Sequence, residues 1–200
     1  VFAPLGMTRS SPLESDFYDD ANHAPIHVIV DGVARPVYER RPDAQSPAGG
    51  VSSTARDMAN WLILQLNDGR FKGEQVVDAA ALAATHVPQI VKGKGRDGRS
   101  SFYGLGWNVD YGDDGLVKLS HAGAFSTGAR SLVILLPGQK FGIAVVANAF
   151  PTGAPEAIAN AFIDVLQVGA PREDYLARYE PLFVAMMPPG PRALPANPGP

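Results

Sequence analysis

The setting of His121 points more directly to chemistry than any other in this chain. It stands in "KLSHAGAFSTG", Lys118 to Gly128, where an apolar strand-like stretch ends among small residues. Gly123 and Gly128 let a backbone or a ligand come close, and Ser120, Ser126 and Thr127 supply hydroxyls. An imidazole titrates near neutral pH, so one held in such a place can give or take a proton where other side chains do not. The same residues also fit a plainer reading, a strand-end histidine in a glycine-containing turn.

Other chemical signatures are weak. The sequence has no Gly-x-Ser-x-Gly elbow, no Gly-x-x-x-x-Gly-Lys phosphate loop and no His-Glu-x-x-His zinc motif. It has no Cys, which removes disulfides, thiol nucleophiles and zinc-thiolate sites but does not fix a compartment. His23 and His27 lie four apart near Asp19, Asp20 and Asn22, yet Pro25 between them forbids the helix that would put both on one face. No metal and no cofactor are expected. His86 reads as a cap or surface residue at a helix end, and Arg130 as a surface ion pair in preference to a contact for an acidic substrate group. Trp107 and Tyr103 in "YGLGW" suit either a strand core or the wall of a cleft.

The elements that position His121 are legible in the second half. From 102 onward "FYGLGWNVD", "GLVKLSH", "ARSLVILLP" and "FGIAVVANA" read as strands, the last two joined through Pro137-Gly138-Gln139-Lys140 as an antiparallel hairpin. Consecutive apolar residues in these two predict a sheet covered on both faces. A helix is expected from Thr54, an N-cap with Asp57 at the capping-box distance, through Ala55, Met58, Ala59, Leu62 and Leu66 to a stop at Gly69. Trp61, Ile63 and Leu64 make its other side apolar, so it should be covered on more than one side. A shorter helix over 79–86 begins at Asp78. After Pro155, the repeat Ala157, Ile158, Ala161, Phe162, Val165 and Leu166 predicts a helix packed on the sheet and ending at Gly169. Residues 8–50 read mostly as loop, with one strand at 26–30 followed by the turn-like Asp31-Gly32. The class is α+β, an antiparallel sheet flanked by helices.

Composition narrows the partners. The 200 residues are 46% hydrophobic and 18% charged, with a net charge of -3, so there is no basic face for nucleic acid. No apolar run approaches the roughly 20 residues of a membrane span. "VFAPLGMTRS" has neither an initiator Met nor a leader pattern, and the start reads as a cut from something longer. Residues 171–200, rich in Pro toward their end, read as a tail or linker.

Several ordered blocks carry a resemblance: "FAPLGMT" at 2–8, "NHAPIH" at 22–27, "PAGGVSSTARDMANWLILQLNDG" at 47–69, "YGLGW" at 103–107, "HAG" at 121–123 and "VVAN" at 145–148. In this order and spacing, over residues 1–170, they resemble the serine β-lactamase-related hydrolases: class C β-lactamases, penicillin-binding proteins and family VIII esterases. The resemblance implies a β-lactamase/transpeptidase-like fold and an acyl-enzyme mechanism. In that mechanism a Ser of Ser-x-x-Lys attacks a carbonyl, aided by the Lys and by the Tyr of Tyr-x-Asn. His121-Ala122-Gly123 looks like the third motif, Lys-Thr-Gly or His-x-Gly, in its His form. By the same carry-over the backbone N–H of Ala124 is an oxyanion-hole donor, and Ala122, Gly123, Phe125 and Tyr103 line the substrate. The imidazole would donate a hydrogen bond toward the catalytic Tyr or a substrate carbonyl. A mostly neutral His attracts a β-lactam carboxylate less than a permanent Lys cation does, which favours esters or peptides. The resemblance also leans toward the periplasm or the exterior, although localisation stays open.

The departure from the pattern is large. No Ser is followed by Lys three places on, and no Tyr by Asn two places on. In the family both motifs precede the "PLGM" block. The expectation is therefore the C-terminal part of a hydrolase, an incomplete fold that is inactive alone. The strand at 141–149 would have an open apolar edge suited to the missing N-terminal half or to self-association. The alternative is a non-catalytic binding or assembly module derived from the same fold.

Overall fold

Residues 13–49 hold more structure than their composition leads one to expect. The computed structural model describes residues 1–30, 32–95, 98–112 and 114–186; Asp31 of the expected turn lies outside them. Within 13–49 lie α1 (Glu14–Asp19), β1 (His27–Val30), β2 (Val33–Arg35) and α2 (Ser46–Gly49). The expected strand is β1, but the expectation of loop elsewhere is corrected. β1 and β2 are short and owe their existence to pairing, which leaves no periodicity to read. β2 forms by antiparallel register on β1, with Ile29 opposite Ala34, and α1 lacks a side-chain cap.

The chain continues through α3 (Ala55–Leu66), β3 (Arg70–Phe71), β4 (Glu74–Gln75), α4 (Ala79–Thr85), β5 (Ile90–Lys94), β6 (Ser100–Tyr103), β7 (Asn108–Tyr111) and β8 (Val117–Phe125). Then come β9 (Ala129–Leu136), β10 (Phe141–Ala147), β11 (Ala149–Phe150), α5 (Ala154–Val168) and α6 (Tyr175–Ala185). Two compact units result. The first comprises Val1–Pro12, Gly50–Ala122 and Leu132–Val145; the second comprises Leu13–Gly49, Gly123–Ser131 and the described residues from Val146 onward.

In the first unit the strands follow the order β10-β9-β8-β7-β6-β5, with antiparallel register from β5 through β8. "FYGLGWNVD", expected as one strand, is two, because the chain turns at Gly104–Trp107 and closes the turn with Gly104 N–H to the Trp107 carbonyl at 2.7 Å. β5 was not expected; it is exposed throughout and so carries no burial pattern. α3 is the central cover. Thr54 Oγ1 accepts the Asp57 N–H at 3.2 Å, the predicted cap, and the Asp57 carboxylate accepts the Arg9 N–H and the Ser10 hydroxyl at 2.9 and 2.8 Å. Leu62 joins Trp107, Val109, Leu119 and Leu135 in one buried cluster, while Leu64 joins Leu5, Met7 and Phe71 in another. Trp61 packs against both and stacks on Trp107 at 5.6 Å. The helix is thus covered on two sides as its sequence predicts, except that Ile63 is exposed. Each fully buried Leu contributes on the order of 1.5–3 kcal/mol. Close approach needs Gly142: a Cβ there would lie 2.8 Å from Leu135 and 3.3–3.4 Å from Leu66 and Leu62.

In the second unit β1 pairs in parallel with β11 and in antiparallel register with β2, so the expected strand 141–149 breaks at Asn148 into β10 and β11. α5 covers the predicted residues but packs by a different face. Ala157, Ala159, Ile163 and Asp164 are buried, whereas Ile158, Phe162, Val165 and Leu166 are about half exposed. The physical reason is α6. It makes extensive contact with α5 and is fixed by Tyr175 donating to Asp164 at 2.6 Å, by the Arg172 N–H to the same carboxylate at 2.9 Å, and by Asn160 to Tyr179 at 3.3 Å. Residues 187–200 of the expected tail lie outside the described residues. Among the described residues no helix is long and apolar enough to cross a membrane.

Candidate functional site around His121

β8 carries five of the six residues expected at the site: His121, Ala122, Gly123, Ala124 and Phe125. It forms a strand because Leu119 buries fully opposite Val109 of β7, and Ser120 pairs with Asn108 beside it. His121 follows as an exposed residue. Its Nδ1 lies 2.6 Å from the Gly106 carbonyl oxygen and 3.5 Å from the Tyr103 hydroxyl. The turn that interrupts the expected strand therefore supplies the carbonyl that orients the histidine. Two glycines inside an apparent strand were the available signal for that turn.

A carbonyl only accepts hydrogen bonds, so Nδ1 carries the proton, and in the neutral ring Nε2 holds the lone pair. This sharpens the expectation of a donor role. Neutral His121 presents an acceptor at Nε2, and it donates outward from Nε2 only as the imidazolium. Tyr103 sits beside it, with ring centroids 6.5 Å apart. Lys92 Nζ lies 5.9 Å from the Tyr103 ring and donates to Asn108 Oδ1. Asn108 in turn donates from Nδ2 to the Ser120 carbonyl at 3.1 Å. Sequence reasoning missed Lys92 and Asn108, since nothing before the folded pairing of β5, β6 and β7 brings them to Tyr103 and Ser120, the neighbours of His121.

Further along β8, Ala124 is exposed, and Gly123 and Phe125 are half-buried. A Cβ on Gly123 would lie 3.1 Å from Ser131 Oγ. The Phe125 ring is held from one side by the Arg40 guanidinium at 4.7 Å and from another by Gly49, where a Cβ would lie 3.0 Å from the ring. Arg40 also donates to the Gly49 carbonyl, and burial lowers its pKa from the ordinary arginine value.

The remaining candidates resolve into structure. His86 Nε2 meets Gln65 Oε1 at 2.9 Å and its ring stands edge-on to Trp107; burial holds its pKa below the ordinary value against the opposing pull of Asp68. It caps the C-terminal end of α4 as expected, its backbone N–H donating to the Ala83 carbonyl at 3.0 Å, but it is half-buried and not a surface residue. His23 Nδ1 lies 2.7 Å from the Asp20 carbonyl within an aromatic group with Phe17 and Tyr18, while His27 Nδ1 lies 3.2 Å from the Asn148 carbonyl. The two imidazoles are therefore engaged with different partners. Arg130 is no surface pair: it donates to Glu156 and lies over the Phe183 ring at 4.9 Å, with both charged side chains largely buried. Trp107 is core, and Tyr103 borders His121.

Comparison with known proteins gives the same architecture. A penicillin-binding protein homologue from Pyrococcus abyssi, described as octameric, matches with a TM-score of 0.65 and 23% identity over 87% of this chain and 37% of that one. A class C β-lactamase from Rhodobacter sphaeroides matches with a TM-score of 0.56 and 21% identity over 84% of this chain and 51% of that one. The chain thus spans about a third to a half of the length of these structures, and at such identity they establish the fold. No curated protein matches. The family model for Beta-lactamase matches residues 1–167, and the chain belongs to that family.

Proposed function

We propose that this chain is the C-terminal part of a serine hydrolase acting through an acyl-enzyme, and that it supplies His121 and the Ala124 N–H to a Ser-Lys-Tyr set carried elsewhere. The observation that carries the reading is the orientation of His121. Fixing Nδ1–H on the Gly106 carbonyl at 2.6 Å leaves Nε2 as its one variable position, which suits an imidazole that exchanges a hydrogen bond with a catalytic hydroxyl. Exposure of Ala124 supports its N–H as an oxyanion donor, because that role depends on geometry and not on side-chain identity. Esters, peptides and β-lactams are the substrate classes that fit acyl transfer at such a site.

The 200 residues contain neither Ser-x-x-Lys nor Tyr-x-Asn. Loss of the nucleophile in a serine hydrolase costs on the order of a million-fold in turnover. The chain alone is therefore expected to leave p-nitrophenyl butyrate and nitrocefin unchanged above background. The chain joined to a segment bearing both motifs is expected to hydrolyse at least one of them. Turnover by the chain alone, or none by the joined protein, would overturn the proposal. The missing motifs favour one other reading, a non-catalytic binding or assembly module; a natural reading frame without either motif would establish it.

β10 ends the six-stranded sheet and Val146 is exposed on it, which supports completion of this edge by the remaining part of the protein or by a second copy. A monodisperse monomer in sedimentation would contradict that.

A further inference from the structure

Lys92 lies beside the His121 site with a neutral partner. Its ammonium donates to the Asn108 side-chain oxygen and stands at the Tyr103 ring, whose other neighbour is His121. Among the described residues, Asp110 on neighbouring β7 is committed: it accepts the Ser101 hydroxyl at 2.7 Å and faces Lys118 in the register of β7 and β8. β5 is exposed, so the ammonium is open to solvent while its amide partner fixes where it points. A lysine whose bound acceptor is an uncharged amide can still form a charge-assisted hydrogen bond to an incoming anion. The aromatic face beneath it suits the apolar part of the same molecule.

We propose that Lys92 is the anion-recognising residue of the His121 site, so that the compounds taken there carry a carboxylate beside an apolar or aromatic group that lies on Tyr103. The His form of the third motif lacks a permanent cation; Lys92 provides one from a different strand. This assignment rests on the hydrolase reading for calling the bound compound a substrate, but the binding itself does not depend on turnover.

The test uses the full 200-residue chain and two nearly isosteric probes, phenylacetate and phenylacetamide, with NMR of the Tyr103 and His121 rings as the readout. Phenylacetate is expected to bind about fivefold more tightly than the amide, the scale of a partly exposed ion pair. The preference should shrink in high salt. Lys92→Met should abolish it and Lys92→Arg should keep it; the exposed site makes neither change a threat to folding. Equal binding of the two probes, a preference that survives in Lys92→Met, or no response of either ring would overturn the assignment. A preserved preference in a chain that shows no acyl transfer once joined to its motifs would sink the proposed function and leave the Lys92 site standing.

Discussion

Gly128→Ala tests whether the turn behind Ala124 is held by steric fit. Gly128 has φ +124, a conformation costing a residue with a Cβ about 1–3 kcal/mol. A Cβ there would also lie 2.3 Å from the His27 carbonyl oxygen and 2.6 Å from the His27 nitrogen. Both are backbone atoms of β1, so no side-chain rotation relieves the overlap. Moving the turn stretches the His27 N–H bond to the Gly128 carbonyl, now 3.2 Å; because that N–H keeps its shorter bond to the Asn148 carbonyl at 2.7 Å, the loss adds only about 0.5 kcal/mol. Together these effects predict a loss of about 1.5–3.5 kcal/mol. At roughly 2–4 °C per kcal/mol for a chain of this size, the melting temperature should fall by about 3–14 °C. The control is Gly115→Ala, where φ is +74 and a Cβ would meet nothing within 4 Å, so only the conformational cost applies. Thermal melts followed by near-ultraviolet circular dichroism should rank Gly128→Ala well below Gly115→Ala. Equal losses in the two variants would refute the steric argument.

Nitrogen-detected NMR of neutral His121 should show the proton on Nδ1, and an Nε2–H tautomer would contradict its bond to Gly106. Leu135→Ala, at a fully buried position in the α3 cluster, should cost about 2–5 kcal/mol in urea unfolding, and a loss below about 1 kcal/mol would mean the cluster collapses around the gap. Asp164 has its pKa lowered, chiefly by the Tyr175 hydroxyl, so its contribution is present above the ordinary carboxylate range and is lost as pH falls through its folded value. Acid unfolding should flatten in Asp164→Asn. Tyr175, raised to about 12 chiefly by the same bond, contributes below pH 10 and loses that contribution as pH approaches 12; its tyrosinate absorbance should appear late in Tyr titration and earlier in Asp164→Asn.

The legible parts of the fold were those written in local chemistry. Thr54 and Asp78 cap their helices as their types imply, and β9 and β10 follow from runs of consecutive apolar residues. What escaped depended on partners far along the chain. The face used by α5 is set by α6, and Asp164 and Glu156, polar in sequence, are buried by Tyr175, Arg172 and Arg130. The same division runs through the site. His121 stood out by its neighbours in sequence, but its tautomer comes from Gly106 in a turn hidden inside an apparent strand. Lys92 comes to the Tyr103 ring beside it only through the pairing of exposed β5, which carries no burial pattern.

The central claim is that His121 and Ala124 serve a nucleophile carried elsewhere, and covalent labelling tests it most directly. The reading frame extended upstream of Val1 would be treated with a fluorophosphonate and its peptides mapped by mass spectrometry. One adduct is expected, on the Ser of a Ser-x-x-Lys outside residues 1–200, slowed in His121→Ala. An adduct on a serine within these 200 residues, or an extended protein that takes no label, would contradict it.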